Sequence, residues 1–119
     1  MKIKTSLSQM IQILVLMGLS TTALSQECGD EPVAPSIVDG ASASMDDLVA
    51  NSQEVKGFIA EADVFLDCLY EYRDTVAYKD LDDAAKDEFK TYSTEILDSR
   101  NAIGDVFNEQ VAAYRAANP

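Results

Sequence analysis

Apolar positions recur at alternating steps of three and four residues over two long stretches of the chain. Such spacing places one apolar stripe along one face of a helix. The pattern therefore predicts two long helices, over about 44–78 and about 83–116. The first stripe consists of Leu48, Val55, Ile59, Ala62, Leu66, Leu69 and Val76, with Ser52 and Arg73 in its gaps. The second consists of Ala85, Phe89, Tyr92, Ile96, Ile103, Val106 and Ala113, with Ser99 and Gln110 as its polar members.

Helix start signals stand at the beginning of both stretches. Ser44 offers a hydroxyl cap, and Asp46 and Asp47 place negative charge at the positive end of the helix dipole. Asp80 is the expected cap of the second helix, in a turn over about 79–82. Two helices of similar length with a short connection predict an antiparallel hairpin, and no strand pattern competes with it.

The stretch before the first helix, residues 26–43, reads as an extended, non-helical arm because it holds Pro32, Pro35 and two glycines. Cys28, in this arm, and Cys68, in the first helix, are the two cysteines of the chain. In an exported protein one disulfide between them is the favoured interpretation; two free thiols or an intermolecular bridge are the alternatives.

Geometry allows this bridge if the arm runs back along the first helix. Cys68 lies 24 residues beyond Ser44, or about 36 Å of helix, while the 16 residues from Cys28 can span ~53 Å. The predicted fold is therefore all-α: an antiparallel two-helix hairpin with an extended N-terminal arm tethered to the first helix by the Cys28–Cys68 disulfide. Aromatic residues recur every seven positions beside the main stripe, and we expect the arm to cover them. The arm residues expected there are Val33, Ile37 and Val38, against Phe58, Phe65 and Tyr72.

The first 25 residues have the pattern of a secretory signal peptide. Lys2 and Lys4 precede an apolar run over 10–19, which is too short to span a bilayer. Ala23 and Ser25 then supply the small residues of a cleavage site. The sequence thus predicts a signal peptide over 1–25 and an exported protein, periplasmic or extracellular, with no membrane anchor after cleavage. The alternative is an uncleaved amphipathic helix.

The charge balance narrows the classes of partner. The chain has 21 acidic and 9 basic residues, a formal charge of −12. Removal of Lys2 and Lys4 with the signal peptide would bring it to −14. Such a polyanion disfavours nucleic acid and anionic lipid as partners, while it could attract cationic ones.

Candidate chemistry is sparse. The chain has no His, and no nucleophile with a neighbouring base can be named, so we predict no enzyme, no catalytic residue and no cofactor. A metal site is not predicted either, because helix capping explains the acidic turn and the Gly and Glu of an EF-hand loop are missing. Calcium binding there was the one metal hypothesis that the sequence left open. The acidic residues of that turn are Asp80, Asp82, Asp83 and Asp87.

Part of the chain resembles a group of small, uncharacterised, secreted bacterial proteins. These have a signal peptide, a Cys–Pro arm, a long helix with a Tyr-Leu-x-Cys-Leu-like segment, and a second helix. The resemblance spans Cys28 to about Tyr70, with Phe65 in place of the usual Tyr, and it implies a bacterial, exported protein without naming a functional residue. It depends on Cys28, Pro32, Pro35, Asp39-Gly40, Ser44-Met45, Val55 and Phe65-Leu66-Asp67-Cys68-Leu69.

The function that the sequence favours is non-enzymatic binding of protein by a secreted or periplasmic helical hairpin. Self-association is the expected form, with two hairpins making a homodimeric four-helix bundle. The alternative is an acidic scavenger or chaperone-like monomer that binds basic proteins or cations. Salt separates the two, because association through apolar surface survives high salt and capture by acidic groups does not.

Overall fold

The computed structural model describes residues 28–119, and the predicted signal peptide lies outside the described residues. Within that range the chain forms three helices and no strand: α1 over Met45–Tyr72, α2 over Val76–Lys79 and α3 over Asp83–Ala117. The helical class and the disulfide between Cys28 and Cys68 are thereby confirmed. None of these helices is long and apolar enough to cross a membrane.

Helix α1 begins after the Ser44 cap that the sequence predicts, and this cap forms a capping box with Asp47. The Ser44 hydroxyl accepts a hydrogen bond from the backbone N–H of Asp47, and the Asp47 carboxylate accepts one from the backbone N–H of Ser44, both at 3.1 Å. These two bonds satisfy N–H groups that the helix itself leaves unpaired. Two hydrogen bonds with Ser44 lower the pKa of Asp47; the bond with the Ser44 side chain has the larger effect and the bond with the Ser44 backbone the smaller.

The first helix ends earlier than the pattern predicts. A single helix was expected to about residue 78, but α1 stops at Tyr72 and the short α2 follows. The interruption lies at Thr75, whose backbone is extended. The Thr75 hydroxyl donates a hydrogen bond to the Tyr72 carbonyl at 2.6 Å and accepts one from the backbone N–H of Tyr78 at 3.2 Å. One side chain thus binds the end of α1 and caps α2. Val76, expected on the buried stripe, is exposed as a result.

The cap of the second long helix is Asp82, so the expectation of Asp80 was wrong. The Asp82 carboxylate accepts from the backbone N–H of Ala85 at 2.8 Å. Asp80 instead ends α2, where its backbone N–H donates to the carbonyl of Val76 at 3.0 Å. Helix α3 begins at Asp83, directly after the Asp82 cap.

Helices α1 and α3 pack against each other. The Phe65 and Tyr92 rings lie 6.4 Å apart, and Arg100 Nε lies 2.8 Å from Asp63 Oδ1. Residue numbers in such pairs rise along α1 as they fall along α3. The buried side chains are Leu48, Asn51, Val55, Phe58, Ala62, Phe65, Leu66 and Leu69 on α1, and Phe89, Ser93, Ile96 and Ile103 on α3.

The buried face of α1 includes residues beside the predicted stripe as well as stripe residues such as Leu66. Phe58 and Phe65, expected on a flank, lie in the core. On α3 the half-buried Phe107 packs against the core, whereas Val106, expected on the stripe, is 41% exposed. Each pair of neighbours fits the same three-and-four rhythm, so spacing alone does not decide which of the two faces the partner helix.

The end of the arm covers the core between the two helices. Ile37 packs against a buried cluster that includes Phe58 and Ile103. Val33, which we expect to lie there too, is 84% exposed, whereas Ile37 and Val38 are partly buried. The arm therefore contributes one large apolar side chain, Ile37, to this cluster.

A buried amide fixes the arm to α1. Asn51 is 2% exposed, and its Oδ1 accepts from the N–H of Val38 at 3.0 Å. Its Nδ2 donates to the carbonyl of Ser36 at 2.8 Å and to the carboxylate of Glu54 at 2.9 Å. The side chain thus pairs with the arm as a neighbouring backbone strand would, and it satisfies backbone groups that burial would otherwise leave unpaired.

Candidate functional site

Positive charge in this acidic protein is concentrated at one end of the helix pair. Residues 28–119 contain seven Lys and Arg, and four of them lie between residues 73 and 90: Arg73, Lys79, Lys86 and Lys90. In this described part of the chain one ion pair forms, between Arg100 and Asp63, and none of these four takes part in it. Their charges are therefore available to a partner.

Three of these cations line one groove of about 350 Å³, which we name the turn-end groove. Residues from α1, α2 and α3 meet in it, so it exists only when the chain has folded. A volume of this order is typical of sites that bind small groups or a few side chains of a partner. The lining residues are Tyr70, Arg73, Tyr78, Lys86, Asp87, Phe89, Lys90, Ser93, Thr94 and Leu97.

Packed aromatic rings form the base of the turn-end groove. Tyr78, carried by α2, has its ring 5.2 Å from that of Phe89 and 5.9 Å from that of Tyr72. The Tyr72 and Phe89 rings are 5.6 Å apart, which completes a mutual cluster. Edge and tilted contacts at these distances are the favourable arrangements of aromatic side chains. The break at Thr75 is what lets α2 fold Tyr78 back onto this cluster.

Two of the cations stand against ring faces. The Arg73 guanidinium lies 4.7 Å from the centre of the Tyr70 ring, and the Lys86 ammonium lies 5.8 Å from that of Tyr78. Lys86 also donates to the carbonyl of Lys79 at 3.2 Å. Contacts of this kind hold a cation in place without neutralising it. The groove therefore presents ordered positive charge beside apolar ring surface.

A second, shallow depression of about 590 Å³ adjoins the groove, and we name it the acidic shelf. Tyr70 and Arg73 belong to both surfaces. The groove has three cations and one carboxylate, a formal charge of +2, whereas the shelf has one cation and three carboxylates, a formal charge of −2. The residues that line the acidic shelf are Asp67, Tyr70, Glu71, Arg73 and Asp74.

The carboxylates of the connecting turn do not converge. Among residues 28–119 no group of three potential metal ligands comes together. The Asp82 carboxylate is used as the cap of α3, and Asp87 lies in the turn-end groove among cations. A melting temperature that calcium leaves unchanged would exclude calcium binding at this turn.

Two hydroxyl groups of the groove form hydrogen bonds within α3. The Ser93 and Thr94 hydroxyls donate to the carbonyls of Phe89 and Lys90 within α3, at 2.6 and 2.8 Å. They are thereby engaged in the helix, and the other polar groups of the groove are the three cations, the Asp87 carboxylate and the two tyrosines. Such a surface can bind a carboxylate or another anion that carries apolar or aromatic groups.

Sequence reasoning identified the disulfide residues, Cys28 and Cys68, but not the groove. A signal was present, since four cations within 18 residues are unusual in a chain of this charge and tyrosines accompany them. What the sequence could not supply is the interruption at Thr75, which brings Tyr78 to the base of the groove.

Comparison of the chain with protein-family models, with curated proteins and with solved structures gives no match.

Proposed function

We propose that the protein is an exported, non-enzymatic helical hairpin that binds another protein through the turn-end groove. Export is supported by the Cys28–Cys68 disulfide, since such bonds persist in oxidising compartments. An antiparallel hairpin with a tethered arm is supported by the opposite numbering of the contacts between α1 and α3 and by the hydrogen bonds of Asn51 to the arm.

The observation that carries this proposal is the set of cations without carboxylate partners on the aromatic base. Arg and Tyr are enriched where proteins bind each other, and residues of this kind supply much of the binding energy. Arg73 and Lys86 already rest on rings in the unbound protein, so a partner orders less side chain when it binds. Leu97, 37% exposed, adds an aliphatic contact at the edge.

Site-specific photo-crosslinking in cells tests whether the groove meets a protein. A benzophenone amino acid replaces Thr94, which lines the groove and is exposed. The matched control replaces Ser99, also exposed, on the opposite side of the same helix. We expect a discrete protein adduct from position 94 that is absent from position 99. Equal labelling at the two positions, or no adduct at either, would contradict protein binding through the groove.

A further inference from the structure

We infer that the partner of the turn-end groove is a second copy of this chain, related by a two-fold axis so that the groove of each copy meets the acidic shelf of the other. This inference rests on the proposed function, because it names the protein that the groove binds. It replaces the four-helix bundle by a contact at the turn end of the helices.

The groove and the shelf are adjoining surfaces of the same copy. The groove and the shelf have opposite formal charges and share Tyr70 and Arg73 along their common edge. In a two-fold contact the same patch of both copies meets itself, with each residue exchanged across the axis. An axis through the shared edge therefore superimposes positive on negative twice, once on each side. A patch of uniform sign would repel its own copy.

The pairs that this arrangement creates can be named. Lys86 and Lys90 of one copy would face Glu71 and Asp74 of the other, and the reciprocal pairs form on the far side of the axis. All four side chains have no ion-pair partner among the described residues of a single copy. Tyr70 and Arg73 lie nearest the axis, where an aromatic ring stacked on a guanidinium provides the apolar centre that a charged rim needs.

The apolar faces of α1 and α3 cannot form this contact instead, because they are buried against each other. Phe89 and Ile96, two large apolar residues of α3, are buried within one copy. The arm closes the same core farther along, where Ile37 packs on Phe58 and Ile103. Self-association therefore has to use surface groups, and the groove and the shelf offer adjoining surfaces of opposite formal charge.

Net charge gives this dimer a recognisable dependence on salt. After signal cleavage each copy would have 7 basic and 21 acidic residues, so two copies repel over long distances at low ionic strength. Near 0.15 M the Debye length is about 8 Å, which screens that repulsion more than the close pairs, and at 1 M it is about 3 Å, which weakens the pairs too. Dimer formation is therefore strongest at intermediate salt, whereas an apolar interface would strengthen steadily as salt rises.

A charge-swap experiment tests the geometry. One variant carries Lys86→Glu and Lys90→Glu, and the other carries Glu71→Lys and Asp74→Lys. Each alone brings like charges together on both sides of the axis, and we expect dimer affinity to fall on the order of a hundredfold. Mixed in equal amounts, the two variants restore attraction on both sides, and we expect a heterodimer with the mass of the wild-type dimer by light scattering coupled to size exclusion.

The matched control is Lys56→Glu, a reversal of an exposed cation of α1 that lies outside both surfaces. It should leave the dimer intact, and circular dichroism should show all variants folded. A monomeric wild-type protein at all salt concentrations, dimers that persist in the single variants, or a mixture that stays monomeric would each overturn the inference. An adduct of Thr94 with a different protein would also overturn it and would leave the proposed function standing, whereas an adduct of twice the mass supports both.

Discussion

The backbone N–H of Gly40 donates to Oε1 of Gln110 at 2.9 Å, and the arm at this point lies directly against the backbone of α3. A Cβ atom on Gly40 would overlap the backbone oxygen of Gln110. No side chain fits in that space, so glycine is required by the close approach of two backbone segments. The arm therefore contacts both long helices, α1 through Asn51 and α3 through Gln110.

Replacing Gly40 by alanine should destabilise the protein by about 2 kcal/mol or more, because the arm must move away from α3 and lose the bond to Gln110. Urea unfolding followed by circular dichroism measures this. Gly57→Ala is the control, since a Cβ atom there meets nothing within 4 Å inside α1. That change should raise the free energy of unfolding by about 0.5–1 kcal/mol. Equal effects of the two substitutions would show that the arm does not contact α3.

Asn51→Leu should cost about 3 kcal/mol of unfolding free energy. The leucine is close in size, but it leaves the partly buried N–H of Val38 and the carbonyl of Ser36 without their partner, which is itself 2% exposed. Hydrogen exchange at the Val38 amide should accelerate in the variant, which separates a local loss from a general one. Ser52→Ala, one position along the same helix, is the control and should change stability little. A Val38 amide that exchanges equally fast in wild type and variant would contradict this assignment.

The helices were predictable from sequence, and the identity of their facing side chains only in part. Leu48, Val55 and Ala62 recur every seven residues and were placed correctly. Between them the rhythm accepts either of two neighbours, such as Phe58, which is buried, and Ile59, which is partly buried against the same cluster. The choice is made by packing across the helices and under the arm, where the larger aromatic ring fills more of the space. Contacts between distant parts of the chain thus decide what local periodicity leaves open.

Alanine substitutions at Val106 and Phe107 test which residue faces the core. The sequence pattern favours Val106, whereas in the structure Phe107 packs against the cluster around Ile103. Phe107→Ala should therefore cost about 2–4 kcal/mol, because it removes a ring from partly buried packing. Val106→Ala should change the free energy of unfolding by less than about 0.5 kcal/mol. The reverse order of the two effects would mean that α3 is rotated by about one residue from its position here.

The turn-end groove was beyond prediction for a different reason. Its cations are visible in the sequence, but Arg73 and Lys86 come from helices whose relative position depends on the length and shape of the connection. The hydrophobic rhythm continues through Thr75 to Val76, so it predicts an unbroken helix where the structure has a cap. Two hydrogen bonds of the Thr75 hydroxyl join the end of α1 to the start of α2 there, and periodicity does not register such bonds.

Acid should remove the contribution of the Asp63–Arg100 pair to stability. The hydrogen bonds that Arg100 donates to the Asp63 carboxylate lower the pKa of Asp63 below the ordinary value of 3.8. The folded state therefore favours the charged carboxylate. The stability from this pair is therefore fully present above about pH 4 and is lost as pH falls through the lowered value. Arg100 stays protonated throughout, since the same bond raises its pKa.

A double-mutant cycle with Asp63→Asn and Arg100→Gln measures that coupling. We expect a favourable interaction free energy at pH 7 that disappears at pH 2, and a decrease at pH 7 when salt is raised, because both side chains are partly exposed to solvent. The cycle cancels the general effect of acid on the other carboxylates, which a single variant does not. A coupling of the same size at pH 7 and pH 2 would show that the pair acts through neutral hydrogen bonding and not through charge.

Loss of the Cys28–Cys68 disulfide should weaken the fold without releasing the end of the arm. The bond closes a loop of 40 residues, and in the chain-entropy model its removal costs roughly 4 kcal/mol. Thermal melts of the Cys28→Ser, Cys68→Ser double variant should therefore fall well below those of the oxidised protein, and the reduced wild type should match the variant. Asn51 and Gln110 hold the arm independently, so the Val38 amide should stay protected wherever the variant is folded. An unchanged melting temperature would mean that the disulfide adds nothing to the fold, and an unprotected Val38 amide would mean that the arm is held by the disulfide alone.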